Sequence, residues 1–190
     1  NKFSMKEFSF SSKLYILSTL AAGVVFCFMQ FPDLSGIRLP LFLITVVVTS
    51  ITQIVQVEGV IKDSTYNASV FGYSLALLAL GRAEASWVVL ISFLVIWIWN
   101  KRTMPWFALG FNIGSATISL ALANLVYHFS TQSRGVLPDY QRVAGIIAAG
   151  AVYIFFSQLT TGLVFWLVEG KGLCESGILN NLLLVADATQ

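Results

Sequence analysis

Charge is what this sequence has least of. Asp, Glu, Lys and Arg make up 11% of its 190 residues, where a soluble domain carries about 25%. So few charges cannot cover the surface of a water-soluble domain this long. The net charge of +2 offers no basic patch for nucleic acid. The single histidine, His128, excludes a His-rich metal site, and neither a metal nor a cofactor is indicated. Cys27 lies inside an apolar run and Cys174 beyond the last one, so no disulfide or zinc framework is present. Catalytic signatures are missing too: there is no nucleophile elbow, Gly-Lys-Ser/Thr phosphate loop, His-Glu-x-x-His or Asp-Asp-x-x-Asp cluster. The chain therefore reads as non-enzymatic, with no catalytic residue. Asp33, Glu58, Asp63, Glu84, Asp139 and Glu169 all fall at run ends or in loops. That argues against a proton-coupled carrier, which needs a titratable group at depth.

What the sequence does have is apolar length. Hydrophobic residues are 57% of the chain and mean hydropathy is +0.81, which marks an integral membrane protein. Six apolar runs stand against the roughly 20 residues of a spanning helix: about 14–31, 39–57, 68–80, 85–99, 106–129 and 143–168. Pro40 sits in the first turn of the second run, where a missing N–H costs little. The third and fourth runs are short, separated by Gly81-Arg82-Ala83-Glu84, and read as a tight hairpin of short, tilted or re-entrant helices. Strands are a poor reading, because Val88 to Trp99 and Ile146 to Phe156 are apolar on nearly every side rather than alternating. The first run is too long for a signal-peptide core and lacks a cleavage site.

The expected architecture is an all-α, polytopic transmembrane helix bundle of about six spans. Residues 1–13 form a cytoplasmic N-terminal segment, 14–168 the bundle, and 169–190 an interfacial segment leading towards a further C-terminal region. The chain reads as a piece of a longer protein. Lys2, Lys6, Lys13, Lys62, Lys101, Arg102 and Lys171 fall on the N-terminal side of such a bundle, and Arg38, Arg82, Arg134 and Arg142 on the other. The positive-inside rule then places both ends in the cytoplasm. Trp99 and Trp106 flank Lys101-Arg102 as interfacial aromatics do.

Polar residues inside the runs are the candidate site. Thr45, Thr49, Thr52, Gln53 and Gln56 share one helical face. Such a face either lines a ligand cavity or hydrogen-bonds neighbouring helices. In the fifth run, Asn112, Ser115 and Ser119 share a face, with Thr117 and Asn124 on another, while Gly110 and Gly114 form a GxxxG pair for close helix packing. This helix is expected at the bundle centre, with Gly114 intolerant of leucine and Val89 tolerant. In the sixth run Gln158 should meet the second or fifth run, beside Gly162. The candidate ligand residues are thus Thr49, Gln53, Gln56, Asn112, Ser115, Ser119, Asn124 and Gln158, and the candidate packing residues Gly110, Gly114 and Gly162.

The stretch Asn100-Lys101-Arg102-Thr103-Met104-Pro105-Trp106-Phe107-Ala108-Leu109-Gly110-Phe111-Asn112, followed by Ser119-Leu120-Ala121-Leu122-Ala123-Asn124-Leu125-Val126-Tyr127, carries a family likeness. Its Lys-Arg-x-x-Pro-Trp opening, Phe-Asn and Leu-Ala-x-Leu-Val-Tyr close resemble the N-terminal membrane-sensor (MASE-type) regions of bacterial cyclic-di-GMP signalling proteins. In those proteins a helical bundle precedes a cytoplasmic HD-GYP phosphodiesterase or GGDEF cyclase, and neither motif occurs in these residues. The resemblance implies a sensory input domain in the bacterial cytoplasmic (inner) membrane. Its partners would be the lipid bilayer, a small-molecule ligand, a second copy in a homodimer, and a cytoplasmic signalling domain in cis or trans. Two other readings stay open: the substrate-binding subunit of a small-molecule transporter with an ATPase partner, and a structural subunit of a larger membrane complex.

Overall fold

The computed structural model describes residues 5, 8–29, 38–54, 56–58, 65–67, 69–99, 105–131 and 139–169. Six helices account for nearly all of them: α1 (Phe10–Met29), α2 (Leu39–Ile54), α3 (Ser69–Leu80), α4 (Arg82–Trp99), α5 (Trp106–Thr131) and α6 (Asp139–Glu169). A short antiparallel pair, β1 (Gln56–Glu58) and β2 (Thr65–Asn67), lies between α2 and α3.

Local chemistry sets several boundaries. α1 begins ahead of its apolar run because Ser9 caps it, its Oγ accepting the Ser12 N–H at 3.2 Å. α2 starts with Pro40 in its first turn, as expected, while the Arg38 carbonyl accepts the Phe42 N–H at 3.0 Å. The Pro105 carbonyl accepts the N–H groups of Ala108 and Leu109 in the first turn of α5. Between α3 and α4 the four-residue turn contracts to Gly81 alone. Its N–H donates to the Leu77 carbonyl and its own carbonyl accepts from Ala85, with φ at +102°. Only a residue without a Cβ holds that left-handed backbone cheaply.

The second run is not helical to its end. The helix stops at Ile54, and Gln56, Val57 and Glu58 pair with Asn67, Tyr66 and Thr65. Val57, Thr65 and Tyr66 are strand formers, and each hairpin partner satisfies backbone groups that a frayed helix end would leave open. Val88 to Trp99 and Ile146 to Phe156, read as helical rather than strand, do lie in α4 and α6, but the second run ends in a short strand and Gln56 leaves the polar face of α2.

The helices sort by length. α1, residues 106–130 of α5 and residues 143–168 of α6 are long and apolar enough to cross a bilayer, whereas α2, α3 and α4 are shorter. The long three pack on one another, the short three do likewise, and α4 against α5 is the main seam between the halves. At about 1.5 Å per residue, the 12 residues of α3 reach about 18 Å, little more than half of a hydrocarbon core of about 30 Å.

α5 is central, as expected. It packs against α1, α3, α4 and α6, and 50% of its apolar window is buried, against 28% for α1 and 17% for α6. The main core joins both halves, with Val46, Tyr73, Val88 and Val89 from the short helices meeting Leu120 and Tyr153 from the long ones. Val89 is fully buried. The expectation that it would tolerate leucine fails, because α4 turns this side towards protein rather than lipid. In the first turn of α1, the Ser12 hydroxyl donates to the Leu167 carbonyl at 2.8 Å, so the start of α1 and the end of α6 lie together.

Candidate functional site

Hydroxyls inside apolar helices usually find a partner in their own backbone, donating to a carbonyl three or four residues back. Thr45 does so to Leu41, Ser50 to Val46, Thr52 to Thr49, Thr160 to Phe156 and Thr161 to Ser157. A hydroxyl satisfied in this way has little left to offer a ligand. Thr49 and Ser119 differ: both side chains are fully buried and their Oγ atoms have no hydrogen-bond partner.

Gln53 lies one turn beyond Thr49 on α2. Its Nε2 donates to the Tyr73 hydroxyl of α3 and to Ser92 Oγ of α4, the latter at 3.0 Å. Its Oε1 is buried and unpartnered. One amide therefore sits where the three short helices converge, joining all three and keeping a free acceptor beside the Thr49 hydroxyl of the same face. The helices come this close because α3 offers Gly72 to α2. A Cβ there would lie 2.8 Å from Thr49 Cα and 2.7 Å from Thr52 Oγ1. The Tyr73 ring in turn packs on Tyr153 of α6 at 5.6 Å between centroids, and on Phe93 of α4. Thus the amide connects through one aromatic pair to the long-helix half.

The candidate residues do not form one site. Thr49 and Gln53 converge with Tyr73 and Ser92, which sequence reasoning missed. Both were visible as isolated polar residues deep in the third and fourth runs, where no polar stripe drew attention to them. Gln56 is removed to β1. The α5 residues belong elsewhere, since α2 has no extended contact with α5 or α6 among the described residues. Ser115 hydrogen-bonds Thr160 of α6, a helix-joining role. Asn112, Asn124 and Gln158 are half-buried. Gln158 lies two residues before Thr160, on the helix that packs most extensively on α5. α6 packs mainly on α5, α1 and α3.

Of the candidate packing glycines, Gly114 approaches backbone of another helix, and its counterpart there, Gly23, was not a candidate. A Cβ on Gly114 would collide with the Thr19 carbonyl of α1, and one on Gly23 with Gly114 Cα, so α1 and α5 touch backbone to backbone. Gly110 meets only the Leu20 side chain. Gly162 is buried in α6. No group of three or more His, Cys, Asp or Glu suited to a metal occurs among the described residues. Comparison of the chain with protein-family models, curated proteins and solved structures gives no match.

Proposed function

We propose that this chain is a membrane-embedded sensory input bundle whose ligand is a small, neutral, hydrogen-bonding molecule held at Thr49, Gln53, Tyr73 and Ser92. The observation that carries this is the Gln53 amide, buried at a three-helix junction with its Oε1 unpartnered and the unpartnered Thr49 hydroxyl on the same face. Each such orphan costs about 1–3 kcal/mol in the unliganded protein. A ligand donating to Oε1 recovers that cost, and packing alone does not require it. Among the described residues no charged group contributes to the cluster, so a neutral ligand suits it. Ligand contact would bias the packing of α2, α3 and α4. The Tyr73–Tyr153 pair hands that bias to α6, whose end at Glu169 would lead to a cytoplasmic effector. A ligand shifts such an equilibrium only by its unequal affinity for the two packings. The likeness of residues 100–112 and 119–127 to MASE-type regions supports the same reading, with both ends in the cytoplasm of a bacterial inner membrane.

The test is twofold. Sequencing the gene beyond the codon for Gln190 should reveal a cyclic-nucleotide enzyme or kinase module; a stop codon would favour the transporter-subunit reading. In the full-length protein, effector output should respond to at least one member of a panel of small neutral amides, polyols and nucleosides. Gln53→Leu should abolish that response.

A further inference from the structure

The Gln53 cluster has a polarity, and the single proton of Ser92 fixes it. On α4, Ala85, Val88, Val89 and Ser92 recur at helical spacing and all are buried. That spacing carries the Ser92 hydroxyl into the core. A serine hydroxyl has one proton to give and two lone pairs to offer. Here the proton goes to the Val89 carbonyl at 2.9 Å, one turn back on the same helix. Towards α2 the oxygen is left as an acceptor, and it receives Gln53 Nε2 at 3.0 Å.

A side-chain amide has two unlike ends: the nitrogen brings donors and the oxygen only acceptor sites. With Nε2 turned to Ser92 and the Tyr73 hydroxyl, the nitrogen is satisfied and Oε1 alone stays unpartnered. Turning the amide over would aim Oε1 at the two hydroxyls, draw the Ser92 proton off Val89 and strand both N–H groups. A buried group without a partner carries its full desolvation cost, and an unfilled carbonyl is tolerated better than an unfilled N–H. The observed direction is therefore the favoured one. Thr49 lies one turn earlier on α2, buried, and unlike Thr45 its hydroxyl makes no bond to the carbonyl four residues back. That hydroxyl can give or take a proton, whereas Oε1 can only accept. An entering O–H or N–H group fills Oε1; a ketone, ether or tertiary amide reaches Thr49 alone and seals Oε1 away from any partner.

We propose that Ser92 is a positioning residue: by holding the amide of Gln53 nitrogen-side towards itself, it restricts the site to ligands that carry an O–H or N–H donor. This rests on the reading of the cluster as a ligand site, and adds which chemistry is admitted and which residue sets the rule. Selection of this kind works by rejection, because a mismatched ligand leaves a buried polar group unpaired.

The test uses the full chain in detergent, isotope-labelled at the side-chain carbonyl carbon of glutamine, with alcohols and ketones of matched skeleton: isopropanol with acetone, cyclohexanol with cyclohexanone. The infrared band lost in Gln53→Leu is the Gln53 carbonyl. Without ligand it should lie above the other glutamine bands, as an unbonded carbonyl does. Each alcohol should lower it, and should raise the unfolding midpoint at a concentration at least about tenfold below its ketone; that difference should vanish in Gln53→Leu. Ser92→Ala frees the amide to turn. Its band should gain a lower component, from Oε1 accepting the Tyr73 hydroxyl, and the alcohol–ketone ratio should fall towards one. Ser92→Thr, which keeps a hydroxyl, should retain both, whereas a serine needed only for packing would change stability and not the ratio. Equal affinity for alcohol and ketone in the unmodified protein overturns the proposal and leaves the ligand site standing, as does an unchanged band and ratio in folded Ser92→Ala. A response to neither member of any pair, or a Gln53 band already at the bonded position, overturns the ligand reading and this proposal with it. Should Ser92→Ala not fold, Tyr73→Phe gives the complementary reading: Ser92 alone should keep the band unbonded and the ratio high, and loss of both overturns its role.

Discussion

At the scale of single residues, what a side chain would touch separates glycines that look alike in sequence. A methyl group at Gly114 or Gly23 meets backbone of the facing helix, which cannot rotate away, whereas at Gly110 it meets the end of Leu20 and at Gly150 nothing. Gly114→Ala and Gly23→Ala should each destabilise by about 1–3 kcal/mol, as overpacking does. Gly110→Ala should cost less, and Gly150→Ala should stabilise by about 0.5–1 kcal/mol through helix propensity. Thermal unfolding of the four variants in detergent checks the order; equal midpoints for Gly114→Ala and Gly150→Ala would remove the α1–α5 backbone contact from the account. Thr49→Val tests the cluster from the opposite direction. Replacing a buried, unpartnered hydroxyl by a methyl group of similar shape should leave stability unchanged or raise it. It should also weaken the response to any ligand that bonds there, the usual trade of stability against a functional site. A marked drop in the unfolding temperature would mean that the hydroxyl has a structural partner.

At the scale of elements, the positions that sequence resolved are those with a period. The polar face of α2 was readable because Thr45, Thr49, Thr52 and Gln53 recur at helical spacing, and the structure buries Thr45, Thr49 and Gln53. The GxxxG pair of α5 was equally readable as a close-packing surface. Its partner, Gly23 of α1, was not, because one helix carries no information about which other helix approaches it. Val89 failed for a related reason. α4 is apolar on nearly every side, so no polar face marks its core, and the lipid-facing and protein-facing valines look identical. The end of α2 was misread because apolar continuity through Val57 hides a change from period 3.6 to strand pairing with Thr65–Asn67. Gly81 offers an elemental test. Gly81→Ala places a Cβ at φ +102°, which should cost about 1–2 kcal/mol and loosen the α3–α4 hairpin. The Gly81→Ala protein should melt earlier and exchange the Ala85 amide faster; an unchanged Ala85 protection factor would show that the hairpin does not depend on the left-handed residue.

At the scale of the molecule, the sorting of three long helices against three short ones bears on how the chain sits in a bilayer. Ser12 bonded to Leu167 places the start of α1 and the end of α6 at one end of the bundle. Whatever depth the short helices reach, these two ends must then face the same compartment. The proposed orientation, from the asymmetry of Lys and Arg, would make that compartment the cytoplasm. Single cysteines introduced at Ser9 and Glu169, in a background with Cys27 and Cys174 replaced by serine, should therefore behave alike. Both should resist a membrane-impermeant maleimide in intact spheroplasts and react after permeabilisation. A third cysteine at Arg82, beside the α3–α4 turn, separates the two fates of the short helices. Labelling in intact spheroplasts means that the hairpin crosses completely; protection until permeabilisation means that α3 and α4 re-enter from the cytoplasmic side, as the length of about 18 Å for α3 allows. Opposite labelling of Ser9 and Glu169 would contradict the Ser12–Leu167 contact itself, and with it the arrangement of α1 beside α6 on which the two-half description depends.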